Sequence, residues 1–173
     1  MLFHWDVPGL KGHGPDIAVV FGVRPGRRDS FDVAAEGARP ALVIEITSPS
    51  TARLDRQSKL EEYHYAGVPF YIIIDRRIVR RQRTVRLLGY RATPVGYEPL
   101  TPNERGWLWL EPVNAWLGLT EGNPVCYNAA GEVIGDYQQV ASERDDALTR
   151  AEAAEARLRE LEATLRRLQQ GQE

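Results

Sequence analysis

Cysteine is almost absent from this sequence: Cys126 is the only one in 173 residues. One thiol can form neither an intrachain disulfide nor a cysteine metal site, and it fits a reducing, cytoplasmic setting. Long hydrophobic runs are missing as well. No apolar stretch approaches the roughly 20 residues that a spanning helix needs, and no signal peptide opens the chain, so no membrane partner is expected. There is also no surplus of positive charge. Lys and Arg number 22 against 24 Asp and Glu, for a net charge of −2, which argues against a strongly basic nucleic-acid binder. No long repeat or low-complexity linker precedes residue 135.

What is present suffices for one core: 43% of the residues are hydrophobic, in a chain the size of an ordinary domain with an appendage. Composition divides it into a body, 1–135, and a tail, 136–173. The tail holds 6 basic and 9 acidic residues and the body 16 and 15, so the acidity sits in the tail. Within the body, residues 76–91 (RRIVRRQRTVRLLGYR) carry seven arginines and no acid. That is a local basic strip, read either as the solvated face of a hairpin or as a phosphate contact surface.

The organising stretch is 40–75, PALVIEITSPSTARLDRQSKLEEYHYAGVPFYIIID. Residues 41–47 form an apolar run interrupted by Glu45, and Ser-Pro-Ser-Thr after it is turn and helix-cap chemistry. A helix is expected over 53–66, stopped by Gly67-Val68-Pro69, with a second apolar run over 70–75. Such a strand–helix–strand unit lays its two strands parallel, with the helix across one face. Glu45 is the anomaly, since a carboxylate inside a nearly continuous Val/Ile/Leu run must pair, bind metal or change its pKa. A neighbouring arginine, the cap of the next helix or a metal ion would each satisfy it.

Around this unit, 16–23 (DIAVVFGV) reads as a further strand, and 31–39 shows no more than a helical turn. Residues 76–93 read as strands joined by a turn, and 95–100 as a short strand. Residues 107–119 alternate apolar residues around Pro112 and should pack on the sheet, and 125–134 suggests a hairpin about 128–131. His4 and His13 near the start could ligate a metal with Asp6 or Asp16, but they lack tight ligand spacing and read as loop histidines. In the tail, Ala147, Ala151, Ala154, Leu158, Leu161, Leu165 and Leu168 follow the 4-3 spacing of a coiled-coil seam, so self-association is expected.

Three residues are candidates to converge. Asp16 opens one strand, Glu45 lies near the end of the next, and Lys59 projects from the following helix. If those two strands are antiparallel neighbours, both carboxylates meet at one end of the sheet. Two hard oxygen ligands there suit Mg²⁺ or Mn²⁺, with waters and a phosphate oxygen completing the shell. Asp55, Lys59 and Tyr63 are spaced by four and share one side of the helix, so Lys59 either leans over the acids or pairs with Asp55 on the surface. Two carboxylates, a divalent metal and a lysine serve phosphodiester hydrolysis.

The segments PDIAVVFGV and EGARPALVIEITSPST, the spacing Asp55…Lys59…Tyr63, and AGVPFYIIID together resemble the Uma2 family of bacterial endonucleases with the PD-(D/E)XK restriction-endonuclease-like fold. The resemblance covers about residues 5–100. It implies an α/β fold with a four- or five-stranded mixed β-sheet flanked by helices, followed here by a C-terminal coiled-coil helix, and a metal-dependent DNA endonuclease activity. It also implies that Asp16 and Glu45 are the metal-binding acids; on the endonuclease hypothesis the backbone carbonyl of Ile46 is expected as a further ligand. The motif lysine would fall at position 47, which is Thr47, and Lys59 is carried over in its place as the charge-stabilising group. The helical region that family members carry before the first motif strand is not seen ahead of Asp16. A catalytically degenerate fold used for DNA binding or assembly is therefore the alternative. DNA is the implied partner, with a homo-oligomer formed through the sheet domain, the C-terminal helix or both. Truncation after residue 135 is expected to turn an oligomer into a monomer by light-scattering mass. An unchanged mass would remove the seam from that role.

Overall fold

The computed structural model describes residues 1–47, 54–79 and 82–135, with Thr149, Arg150 and Arg157 in the tail. The chain divides into two compact units, Met1–Val133 and Ile134–Glu173. The alanine–leucine seam expected in the tail lies outside the described residues.

In chain order the elements are β1 (Leu2–His4), β2 (Ile17–Val20), β3 (Ser30–Asp32), α1 (Val33–Glu36), β4 (Pro40–Thr47), α2 (Leu54–Tyr65), β5 (Phe70–Val79), β6 (Gln82–Thr93), β7 (Gly96–Pro99), β8 (Leu108–Leu110), β9 (Ala115–Thr120) and β10 (Asn123–Tyr127), with one 3-10 turn over Glu111–Val113. The expected crossover is present. β4 and β5, both rich in β-branched residues, pair in parallel with Leu42 opposite Phe70 and Thr47 opposite Asp75, and α2 makes the return. The helix ends at Gly67, whose φ of +71° is the left-handed conformation of a helix C-cap. There Val68 N–H reaches back to the Tyr63 carbonyl at 3.0 Å. Arg39 packs over Gly67 and donates to the Ala66 carbonyl.

β2 lies antiparallel to β4, with Ile17 opposite Ile44 and Ala18 opposite Val43. The main sheet is five-stranded and mixed, in the order β2-β4-β5-β6-β7. β5 runs four residues beyond the apolar run that marked it in the sequence, because its antiparallel pairing with β6 continues to Val79 opposite Gln82.

Side-chain alternation gives the sheet two different faces. One buries Val43, Tyr71 and Ile73 against Tyr63, Ala66 and Val68 from α2 and its cap. The other buries Leu42, Ile44, Ile72 and Ile74 against Leu108, Leu110 and Leu117. These last belong to a second sheet of order β10-β9-β8. The expectation of flanking helices is thus met on one face only, and β-structure covers the other. The physical reason is the alternating Leu108/Leu110 and Ala115/Leu117 pattern, whose period of two presents one apolar face. Each fully buried aliphatic side chain here contributes about 1.5–3 kcal/mol.

The segments flanking β2, which carry little pattern as sequence, contain a two-stranded parallel sheet of β1 and β3. Its Phe3, Phe31 and Val33 form a third small core. Among the described residues, no helix is long and apolar enough to cross a membrane.

Candidate active site

Glu45 occupies the α2-facing side of β4, two residues after Val43, and is only 7% exposed. A carboxylate withdrawn from water this far costs several kcal/mol, roughly, unless charge-assisted hydrogen bonds compensate. The helix supplies them. Lys59 Nζ donates to Glu45 Oε1 at 3.0 Å, and the Tyr63 hydroxyl donates to the same oxygen at 2.7 Å. The two donors are one helical turn apart and therefore lie on the same side of α2. Among the described residues, no hydrogen bond is made to Oε2.

The antiparallel register brings Asp16 to the same place. With Ile17 opposite Ile44, the next position outward sets Asp16 across from Glu45, where directly opposed side chains share a face. Asp16 is exposed, yet it is not loose. Its Oδ2 accepts the Ile46 backbone N–H at 2.7 Å, which ties it to the peptide unit beside Glu45. Asp16, Glu45, Ile46 and Lys59 thus lie together at one end of the sheet. The Asp55 side chain lies outside the described residues.

Tyr63 is fully buried. Burial is the main cause that pushes its pKa far above the ordinary phenol value, and the hydrogen bond and charge of Glu45 add to it, with smaller contributions from Tyr71 and Asp16. The hydroxyl consequently stays protonated at neutral pH and donates to Glu45. It was visible in the sequence as part of the spaced helical row, but nothing in the spacing revealed that it, together with Lys59, would hold Glu45.

A second polar level sits one step further along the same face. Asp75, opposite Thr47 in the ladder, is 0% exposed. Its carboxylate accepts from Thr47 Oγ1 at 3.0 Å and from Arg86 Nη2 at 2.9 Å, and Arg77 Nε lies 2.7 Å away. Sequence reasoning passed over Asp75. Its signal was an acid closing an apolar strand immediately before an arginine-rich stretch.

The histidine readings resolve differently. His13 is nearly buried, accepts the Trp5 indole N–H on Nδ1 at 2.8 Å, and meets Glu62 Oε2 through Nε2 at 2.6 Å. Its ring also packs against Tyr63, with centroids 5.0 Å apart. Asp6 pairs with Arg39, so the metal set imagined around His4 and His13 does not assemble. Among the described residues, no group of three or more His, Cys, Asp or Glu side chains could hold a metal ion. Two carboxylates, Asp16 and Glu45, remain at one end of the sheet beside the Ile46 peptide unit, and carboxylate oxygens are the ligand type that hard divalent cations take.

Comparison with known families gives one match: the Uma2 model, described as "Putative restriction endonuclease", fits residues 3–120. No curated protein and no solved structure matches the chain.

The buried phenol generates a pH prediction. A group whose folded pKa lies above its unfolded value, about 10 for tyrosine, contributes stability that is fully present below that value and is lost as pH rises. Above about pH 10 the unfolded chain releases the Tyr63 proton while the native chain keeps it, so stability should fall by about 1.4 kcal/mol per pH unit on this account. Urea unfolding of Tyr63→Phe should show a slope shallower by that amount, together with a loss of about 1–3 kcal/mol at neutral pH from the under-bonded Glu45. Identical alkaline slopes would contradict the assignment.

Proposed function

This chain belongs to the Uma2 family, and on that premise we propose that it is a divalent-metal-dependent endonuclease hydrolysing phosphodiester bonds in DNA. The observation that carries the reading is the shared bonding of Lys59 and Tyr63 to one oxygen of buried Glu45, beside an Asp16 anchored on Ile46. Asp16, Glu45 and the Ile46 carbonyl are the groups that would hold Mg²⁺ or Mn²⁺. When bound, such an ion neutralises charge on the phosphate and lowers the pKa of a bound water.

The chain's own residues do the rest. Tyr63 and Lys59 turn Glu45 so that its Oε1 is engaged and its charge is compensated. The Asp16–Ile46 bond keeps the second acid in register with the first. An ammonium carries three donors and holding Glu45 takes one, so Lys59 can also donate to a phosphate oxygen as negative charge grows there. The mixed five-stranded sheet with two acids at one end supports a restriction-endonuclease-like core of the PD-(D/E)XK type. Further parts of the same proposal are a cytoplasmic location, DNA as partner, and assembly of two chains through the sheet domain or the C-terminal seam. Assembly would let two sites face the two strands.

The test is nicking of supercoiled plasmid in Mg²⁺ or Mn²⁺. Glu45→Gln and Lys59→Ala, assayed below their melting temperatures, are each expected to lower the rate by about 100-fold or more, in the range of removing a preorganised charge-stabilising group. Glu45→Gln should melt within a few degrees of wild type, and Lys59→Ala lower, because it leaves Glu45 under-compensated. Wild-type protein that never cuts, yet holds DNA equally well in EDTA, would replace this reading with that of a binding module. Variants that cut at the wild-type rate would overturn the residue assignments.

A further inference from the structure

Strand pairing divides the arginine strip between the two faces of the main sheet. Glu45 lies opposite Ile73 and Thr47 opposite Asp75, so these four share the side that faces α2. Arg86 lies opposite Asp75, and Arg77 follows Asp75 by two residues on β5, which puts both on that same side. Arg76, Arg83 and Arg91 fall on the other side, where Arg91 lies over the Phe70 ring and pairs with Glu111. Of the strip's arginines that are described, Arg77 and Arg86 alone share a face with the candidate active site.

One buried acid holds both. Asp75 Oδ2 meets Arg86 Nη2 at 2.9 Å and Arg77 Nε at 2.7 Å, and the two side chains are still 53% and 37% exposed. The other oxygen, Oδ1, accepts from Thr47. One guanidinium would neutralise this carboxylate. The second leaves a surplus positive charge on the face that carries Glu45. Each guanidinium has five donors in a rigid fork, and among the described residues Asp75 is the one acid that either arginine meets. A fork tied at its inner edge and open to solvent at its outer edge is preorganised for an oxyanion, and phosphate is the anion whose geometry it matches. Asp75 is the diagonal neighbour of Glu45 on β5, roughly 8 Å away at ordinary sheet spacings. The arginines beyond it therefore meet phosphates other than the one held at the acids.

We propose that Arg77 and Arg86, fixed by Asp75, hold the backbone phosphates next to the one that is cleaved, and so set the position of the nucleic acid over Asp16 and Glu45. This rests on the endonuclease reading and adds substrate-positioning residues to it. Asp75 acts through the two arginines and touches no substrate. The contacts fix register and carry no base preference.

The test uses the full chain, with every variant assayed below its melting temperature. Anisotropy of a fluorescently labelled DNA oligonucleotide is followed in EDTA as KCl is raised. Arg77→Gln and Arg86→Gln each leave the other arginine on Asp75. Each should bind about tenfold more weakly, the cost of a lost charged hydrogen bond, with a log K against log[KCl] slope shallower by about 0.9. Arg86→Lys keeps the charge and should keep the slope. Asp75→Asn leaves both cations but loosens them, so it should keep the slope and slow single-turnover plasmid nicking by about tenfold or more. Arginine variants with wild-type affinity and slope would overturn the proposal even if Asp75→Asn fails to fold, as would Asp75→Asn that nicks at the wild-type rate. A wild type that nicks beside arginine variants of unchanged salt dependence defeats this assignment alone. A wild type that binds through these arginines but never nicks defeats the endonuclease reading and keeps them as phosphate contacts, and one that neither binds nor nicks defeats both.

Discussion

A buried carboxylate with its charge answered from a single helix is the constraint on which the rest of this domain turns. Glu45 could not remain inside the β4 face unless α2 delivered Lys59 and Tyr63 to it, so the helix must sit at one rotation and one height. Much of the surrounding structure fixes that height. Tyr63 packs on Tyr71 with ring centroids 4.9 Å apart, and Trp5 and His13 close around it from the N-terminal segment. His13 grips Glu62, the residue before Tyr63. The aromatic cluster and the N-terminal sheet are therefore the buttress that holds two donors against one acid. Removing either donor leaves an under-compensated charge rather than a simple gap.

The sheet grades from apolar to polar along the direction of its parallel strands. Val43 and Tyr71 lie deep, then Glu45 opposite Ile73, then Thr47 opposite Asp75, and beyond them the end of β5 that bears Arg77. The C-terminal ends of parallel strands are where α/β sheets commonly place their chemistry. Here the polarity rises from one acid held by a helix to another held by the neighbouring strand. The two levels differ in partners. Glu45 faces an ammonium and a phenol and keeps one oxygen clear of hydrogen bonds among the described residues, whereas Asp75 faces guanidinium groups and a hydroxyl. The first arrangement suits a ligand-binding acid and the second an anchoring one.

The central unit was legible because its signals are local. Val/Ile runs on either side of a helical stretch closed by Gly67 dictate a parallel crossover, and an acid at the start of one strand and near the end of its neighbour dictates their meeting if those strands pair. Lys59 stood out as the middle member of the Asp55…Lys59…Tyr63 row and as the lysine that the family resemblance carries over in place of Thr47. Its compact ammonium shares the Glu45 oxygen with the Tyr63 hydroxyl, which a forked guanidinium does less readily. The remainder depended on tertiary contacts. β1 and β3 have three residues each and pair in parallel across nearly the whole N-terminal segment, so no periodicity marks them. The covering sheet of β8–β10 was visible only as alternation without a partner. Asp75 read as the end of a strand because its arginines are supplied by residues two positions on and across a hairpin.

The central claim is that Asp16 and Glu45 form one divalent-ion site in the free protein. Titration of the metal-free chain with Mn²⁺, read by electron paramagnetic resonance without nucleic acid, tests it directly. The account predicts one ion per chain that Mg²⁺ displaces, lost in both Asp16→Asn and Glu45→Gln. No bound Mn²⁺ at millimolar concentration, or the same stoichiometry in both variants, would contradict it.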